Sequence, residues 1–287
     1  MIPPSFDYHA PSTVAEAVGL LAQLGEDAKI LAGGHSLLPM MKLRFAEPGA
    51  LIDLNRIDAL RGVSEEGGMI RIGAMTTENQ LIASGLLQSR VPLLPEAARQ
   101  IADPQVRNRG TIGGDIAHGD PANDHPAIAM ALDAIFVLTG PNGERQVPAT
   151  EFFLGTYFTA MEADEILTAI LVKPFATKTG YAYTKLKRKT GDWATAAAAV
   201  VMTMDGDRVA SVRIGLTNVA PTALRANDAE QYLVGKTLDA ATLDEVARLV
   251  RAAADPAADL RGDEEYKTAM AGEMTKRALR QAAERCR

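Results

Sequence analysis

Two diglycine segments constrain this chain more than any other feature. Ile30-Leu31-Ala32 runs directly into Gly33-Gly34-His35-Ser36, and Arg109-Gly110-Thr111-Ile112 runs into Gly113-Gly114-Asp115. Neither is followed by a strand that pairs back, so a hairpin turn does not account for them. A third pair, Gly67-Gly68, is different: it lies between Glu65-Glu66 and the amphipathic run Met69–Ile72, where a tight turn suffices. Glycine admits positive φ and close backbone approach, which lets successive N–H groups converge on phosphate oxygens. Ser36 can add a hydroxyl, and Ser36–Leu43 can begin a helix whose N-terminus favours negative charge. Thr111 can play the same part in the second segment. Two such segments facing each other suit a diphosphate. Other phosphate patterns are missing: there is no G-x-G-x-x-G after a first strand and no G-x-x-x-x-G-K-[ST].

The periodicity predicts a first helix from Val14, Ala17, Val18, Leu21 and Leu24, opened by a capping box from Thr13 to Glu16 and closed by Gly25. Leu51–Leu54 is strand-like, Thr77 to Gln80 is a second capping box, and Pro92 to Ile101 is helical. The polar stretch Ala102–Pro126 is too long for a simple connection and is expected to be functional. Asp124 can cap a helix from His125 to Leu132, and Pro141-Asn142-Gly143 turns a hairpin. Composition shifts near residue 177. Beyond it, strands are expected at Tyr181–Arg188, Ala194–Met204 and Arg208–Asn218, with Asp205-Gly206 as a turn. Helices follow at Ala223–Val234, Leu243–Ala254 and Glu264–Arg285. Strands and helices do not alternate as βαβ units, so the expected class is α+β, with domains at 1–177 and 178–287.

Composition closes off several functions. A net charge of -6 gives no reason to expect a nucleic-acid partner. No apolar run reaches transmembrane length, and Met1-Ile2-Pro3-Pro4 has no signal-sequence character, which makes the cytoplasm the expected location. The single cysteine, Cys286, rules out a thiolate-held zinc or iron–sulfur site within the chain. Asp115, His118, Asp120, Asp124 and His125 crowd together, but their spacing fits no recurrent zinc pattern, and no metal site is expected. There is no nucleophile–base pair and no acid–base dyad, so no residue is assigned a catalytic role.

The segments Ala32–Lys42 and Arg109–Ala117 resemble the two flavin-diphosphate loops of the molybdenum hydroxylase flavoproteins, the family of xanthine dehydrogenase. Within it the resemblance is greatest to medium subunits of the aerobic carbon monoxide dehydrogenases. It covers essentially the whole chain, including Met1-Ile2-Pro3, Ile101–Arg107, Lys185–Asp192 and Gly215–Val219. The resemblance implies a two-part FAD-binding domain of the vanillyl-alcohol oxidase type. A smaller domain would follow, joining a three-stranded antiparallel sheet to a helical bundle. It further implies that Ala32, Gly33, Gly34, His35 and Ser36 surround the FAD diphosphate together with Thr111, Ile112, Gly113, Gly114 and Asp115. Many relatives carry Asn where this chain has Asp115, and a carboxylate beside phosphate needs a hydroxyl or backbone donor to aim at.

The remaining positions keep two readings each. Asp124 falls where the family bonds the flavin's sugar-like chain, or it is a helix cap only. Ile101 and Ala102 lie close to the isoalloxazine, or they end a core helix. Lys185 bonds the pyrimidine end of the ring, or it is a solvated strand lysine. Trp193 stands where the carbon monoxide enzymes can present Tyr to the flavin, or it is a core residue.

The implied function is electron transfer. A molybdenum-binding large subunit would oxidise the substrate, and [2Fe-2S] clusters in a small subunit would relay electrons. FAD on this chain would collect two and pass them to a quinone or other acceptor. Molybdenum cofactor and clusters would sit in the partners only. The implied assembly is a dimer of heterotrimers, in the cytoplasm or on the inner face of the membrane through the complex. Alternatives are the flavin subunit of an aldehyde or N-heterocycle hydroxylase, and a flavin-free assembly module.

Overall fold

A computed structural model describes residues 2–286. The first lobe alternates strand and helix: β1 (Asp7–His9), α1 (Val14–Leu24), β2 (Ala28–Leu31), α2 (Leu37–Leu43) and β3 (Ala50–Asp53). Its three strands are parallel in the order β1-β3-β2. The expectation of no βαβ units is therefore corrected for this lobe, where strands of three or four residues are too short to show a period. Ala17, Val18 and Leu21 of α1 bury against Ala50 and Ile52, as their spacing requires. Thr13 caps α1 by accepting from Glu16 N at 3.1 Å, whereas the Glu16 carboxylate reaches Ser12 N and not Thr13.

The second lobe is built on an antiparallel five-stranded sheet. The hairpin β4 (Val63–Glu66) and β5 (Met69–Gly73) turns through Gly67 and Gly68, both at positive φ, as a two-residue hairpin demands. A run of short helices follows: α3 (Glu78–Ala83), α4 (Gly85–Arg90), α5 (Leu93–Ala98), α6 (Pro104–Arg107), α7 (Ile112–His118) and α8 (Asp124–Ala131). Two of them lie inside the polar stretch 102–126, which thus has more regular structure than its composition suggests. The lobe continues with β6 (Ile135–Gly140), β7 (Gly143–Pro148), α9 (Ala149–Phe152), β8 (Phe153–Gly155), β9 (Phe158–Thr159) and β10 (Ile166–Val172). The sheet order is β4-β5-β10-β6-β7, and β8 and β9 form a separate hairpin.

Three long antiparallel strands then pair in sequence: β11 (Gly180–Leu186), β12 (Ala196–Asp205) and β13 (Arg208–Thr217), joined by the two-residue β14 (Leu224–Arg225). The helices α10 (Asn227–Leu233), α11 (Ala240–Ala253) and α12 (Glu264–Arg285) cover one face. On β12 the side chains alternate between two cores. Ala196, Ala198, Val200 and Met202 face the helices, while Ala197, Ala199 and Val201 join the core of the second lobe. Burial on both faces explains why this strand has a continuous apolar sequence. Its neighbours β11 and β13 carry glycine where helix backbone comes close. A Cβ on Gly180 would overlap Ala282 O of α12, and one on Gly215 would overlap Ala127 O of α8.

Candidate functional site

The first diglycine segment leaves β2 and turns into α2 across Gly34, whose φ of +81° is the left-handed region that favours glycine. Among the described residues, the N–H groups of Gly33, Gly34, His35 and Ser36 have no hydrogen-bond acceptor. The Ser36 hydroxyl and the His35 ring are likewise unbonded, and Ser36 stands at the N-cap position of α2 without capping it. Four consecutive donors and a hydroxyl therefore face outward from one turn.

The second segment is organised differently. Thr111 is the N-cap of α7, and its hydroxyl accepts from Gly114 N at 3.2 Å. Ile112 N donates to Thr76 O, Gly113 N to Ala74 O, and Asp115 N to Thr111 O. Its donors are spent inside the protein. The glycines serve close packing: a Cβ on Gly113 would lie 2.7 Å from Ala74 O, and one on Gly114 2.8 Å from Thr111 Oγ1. The two segments touch. A Cβ on Gly33 would stand 2.9 Å from Gly110 Cα and closer still to Arg109 O, and Gly114 approaches Ala32.

Beyond the second segment lies a buried polar cluster. Asn123, at the N-cap position of α8, sends its amide to Asp115 O at 2.9 Å. Asp124 is not a cap. Its Oδ2 accepts from Lys185 Nζ at 2.7 Å and its Oδ1 from the Tyr183 hydroxyl. The Lys185 side chain is 1% exposed, so the solvated-lysine reading is set aside. His125 Nε2 lies 2.9 and 3.0 Å from the two carboxylate oxygens of Glu78, and both residues are buried. Burial works against charge on His125, but Glu78, with Asp115 and Asp124, outweighs it and raises the ring to about 9. The Asp115 residue as a whole is part-exposed, while its Oδ1 is sealed from solvent without a partner. Burial, reinforced by Glu78, Asp124 and Asp120 against the pull of His125, pushes its carboxyl up to about 8. Among the described residues no group of acids, histidines and cysteines is arranged to hold a metal ion.

The third part is the turn after α5. Ile101 is buried, and Ala102 adopts a φ of +44°, uncommon for a residue with a Cβ. Arg107 fastens this turn, donating from Nη1 to Ile101 O at 2.7 Å and Ala102 O at 3.2 Å. Lys187 Nζ donates to Gln100 O, and Gly191 packs beside Ala102 and Asp103. Trp193 follows in the same loop. It is 48% exposed, not a core residue, with the Arg261 guanidinium 5.3 Å from its ring centre.

Contacts thus link the first segment to the second, the second to Asp124 and Lys185, and Ile101-Ala102 to the loop bearing Trp193. Local pattern did not expose Glu78, Tyr183 and Arg107. Glu78 looks like an acidic first-turn residue of a capped helix, and Tyr183 like any aromatic on an alternating strand. His125 was visible only as one acid-cluster neighbour.

A family model described as the FAD binding domain in molybdopterin dehydrogenase matches residues 4–174, and the CO dehydrogenase flavoprotein C-terminal domain matches residues 181–282. The chain belongs to the molybdopterin dehydrogenase flavoproteins. Like other flavoproteins of this family, it is an FAD-binding chain with an α+β fold. It is 63% identical to the carbon monoxide dehydrogenase medium chain of Hydrogenophaga pseudoflava, with 100% of each chain covered. A solved carbon monoxide dehydrogenase from that organism, lacking the Mo-pyranopterin moiety, superposes with a TM-score of 0.99 at 64% identity over 100% of both chains. Quinoline 2-oxidoreductase from Pseudomonas putida 86 superposes at 0.94 with 34% identity, covering 99% of each. This flavoprotein fold is therefore shared across different substrates.

Proposed function

We propose that the chain is the FAD-carrying, electron-transferring subunit of a carbon monoxide dehydrogenase, working with a molybdenum-binding large subunit and a [2Fe-2S] small subunit. The observation that carries the cofactor assignment is the row of four unsatisfied N–H groups at Gly33–Ser36, backed directly by the Thr111–Asp115 segment. That donor set fits a diphosphate: it is neutral backbone with one hydroxyl, and no protein acceptor competes for it. When bound, FAD supplies a two-electron store between one-electron clusters and the final acceptor.

The chain's own residues hold and orient. Ala32, Gly33, Gly34, His35 and Ser36 receive the diphosphate; Thr111, Ile112, Gly113, Gly114 and Asp115 form the wall behind it. Asp124, fixed by Lys185 and Tyr183, addresses the sugar-like chain. Ile101, Ala102 and Trp193 would border the ring. Lys185 then acts through Asp124 and not as a free cation at the ring. In this reading residues 1–177 carry the cofactor and residues 178–287 complete the site. Carbon monoxide oxidation itself belongs to the partner.

A quinone is the proposed acceptor and a dimer of heterotrimers the proposed assembly. Among the described residues no helix is long and apolar enough to cross a membrane, so any placement at the inner membrane face would come through the complex. Purification of the native complex, with flavin, metal and carbon monoxide oxidation assays, tests the whole proposal. A complex that contains this chain but no flavin, or that oxidises an N-heterocycle and not carbon monoxide, would refute it.

A further inference from the structure

Three carboxyl groups converge behind the second diglycine segment, from Glu78 on α3, Asp115 on α7 and Asp124 on α8. Only two bases meet them. His125 is bonded to both oxygens of Glu78, and Lys185 on β11 is bonded to Asp124, which also accepts from Tyr183. Asp115 is the acid left over. The one amide that reaches it, from Asn123, is spent on its backbone carbonyl, and its Oδ1 is buried without a partner. The next acid along the chain, Asp120, adds negative charge; its oxygens are taken by Ala122 N and the Tyr157 hydroxyl. His118, on the same helix as Asp115, offers no compensating charge, because burial lowers its pKa. A buried carboxylate with no cation bonded to it, beside two further acids that outweigh the pull of His125, is costly in its ionised form. A bound diphosphate would add still more negative charge.

We propose that Asp115 meets FAD as an uncharged carboxylic acid and donates its proton to an oxygen of the cofactor's ribityl–diphosphate chain. This rests on the assignment of Thr111–Asp115 to the FAD site. It removes the conflict between a carboxyl and a phosphate, because a neutral acid presents a donor. It also makes retention pH-dependent. With a carboxyl pushed up to about 8, ionisation above that pH removes the donor and sets an anion against the phosphate.

The test is FAD release from the intact complex, followed by flavin fluorescence between about pH 7 and pH 9.5, in wild type, Asp115→Asn and Gly33→Val. The wild-type Kd should rise about tenfold per pH unit above about 8, the slope of one required proton. Asp115→Asn should bind FAD within about threefold of wild type at pH 7 and lose this slope, since one neutral donor replaces another. Infrared difference spectra at pH 7 should show a protonated-carboxyl stretch in wild type that is missing in Asp115→Asn. Flavin loss from Asp115→Asn at pH 7, or an alkaline slope equal to that of wild type, would overturn the proposal. Gly33→Val separates the two levels. If it keeps FAD, the diphosphate assignment itself fails; if it loses FAD while Asp115→Asn tracks wild type, only the role of Asp115 fails.

Discussion

The two diglycine segments share a dipeptide and a strand-like approach, yet their backbones do opposite things. At Gly33-Gly34 the donors are left without a protein acceptor and the positive φ of Gly34 turns the chain. At Gly113-Gly114 the donors are consumed by Thr76, Ala74 and Thr111, and the glycines let α7 press against β5 and the first segment. Diglycine therefore marks two different needs: a surface of unsatisfied amides and the support that keeps that surface in place. A supporting segment is expected to fail by unfolding, a presenting one by losing its ligand.

Substitutions can break this distinction. Gly113→Val, whose side chain overlaps the Ala74 backbone, is expected to destabilise the fold; overpacking of this kind costs about 1–3 kcal/mol, and thermal melting should report it whether or not FAD is present. His125→Ala should also act on the supporting side. It leaves the Glu78 carboxylate buried and unpaired, an expected loss of about 3–5 kcal/mol in urea unfolding. The sign of its pH dependence follows from the raised His125 pKa. The pair's contribution is complete below the unfolded value near 6.5 and fades as pH climbs through about 9, so wild type and variant should converge in alkali.

Gly33→Val should behave differently, abolishing flavin content by driving the two segments apart while far-UV circular dichroism persists. A variant that unfolds instead would erase the contrast. Thr111→Val removes a cap and should cost about 1 kcal/mol of stability. Ser36→Ala is the smallest change. Its hydroxyl caps nothing, so melting should be unchanged while FAD binds roughly tenfold more weakly, the value of one hydrogen bond to a charged group.

How much of this was visible in sequence depended on the range of the interaction. Local signals were largely faithful: the Thr77–Gln80 capping box, the Gly67-Gly68 turn and the helix Glu264–Arg285 occur as their patterns imply, while the turn expected at Asp205-Gly206 falls one residue later, at Gly206-Asp207. The βαβ start was missed because its strands are barely longer than one alternation. The cap alternative for Asp124 arose because Asp before an apolar run has the signature of a cap, and the structure sets it aside. Its actual partners, Tyr183 and Lys185, lie about sixty residues away, beyond any local pattern. Lys185 shows the same limit from the other side: of its two readings the solvated one falls, because the first lysine of the run Lys185–Lys189 is sealed by pairing to an acid on another element. The buried polar cluster rests on such distant pairings, which no local pattern exposes.

The C-terminal sheet also decides how firmly the two halves of the molecule hold together. Because β12 contributes alternate alanines to two cores, and Gly215 locks β13 onto α8, the two halves of the molecule have no slip plane between them. Peeling them apart would expose both faces of one strand to water. The two halves are therefore expected to melt together in one transition and not to hinge apart.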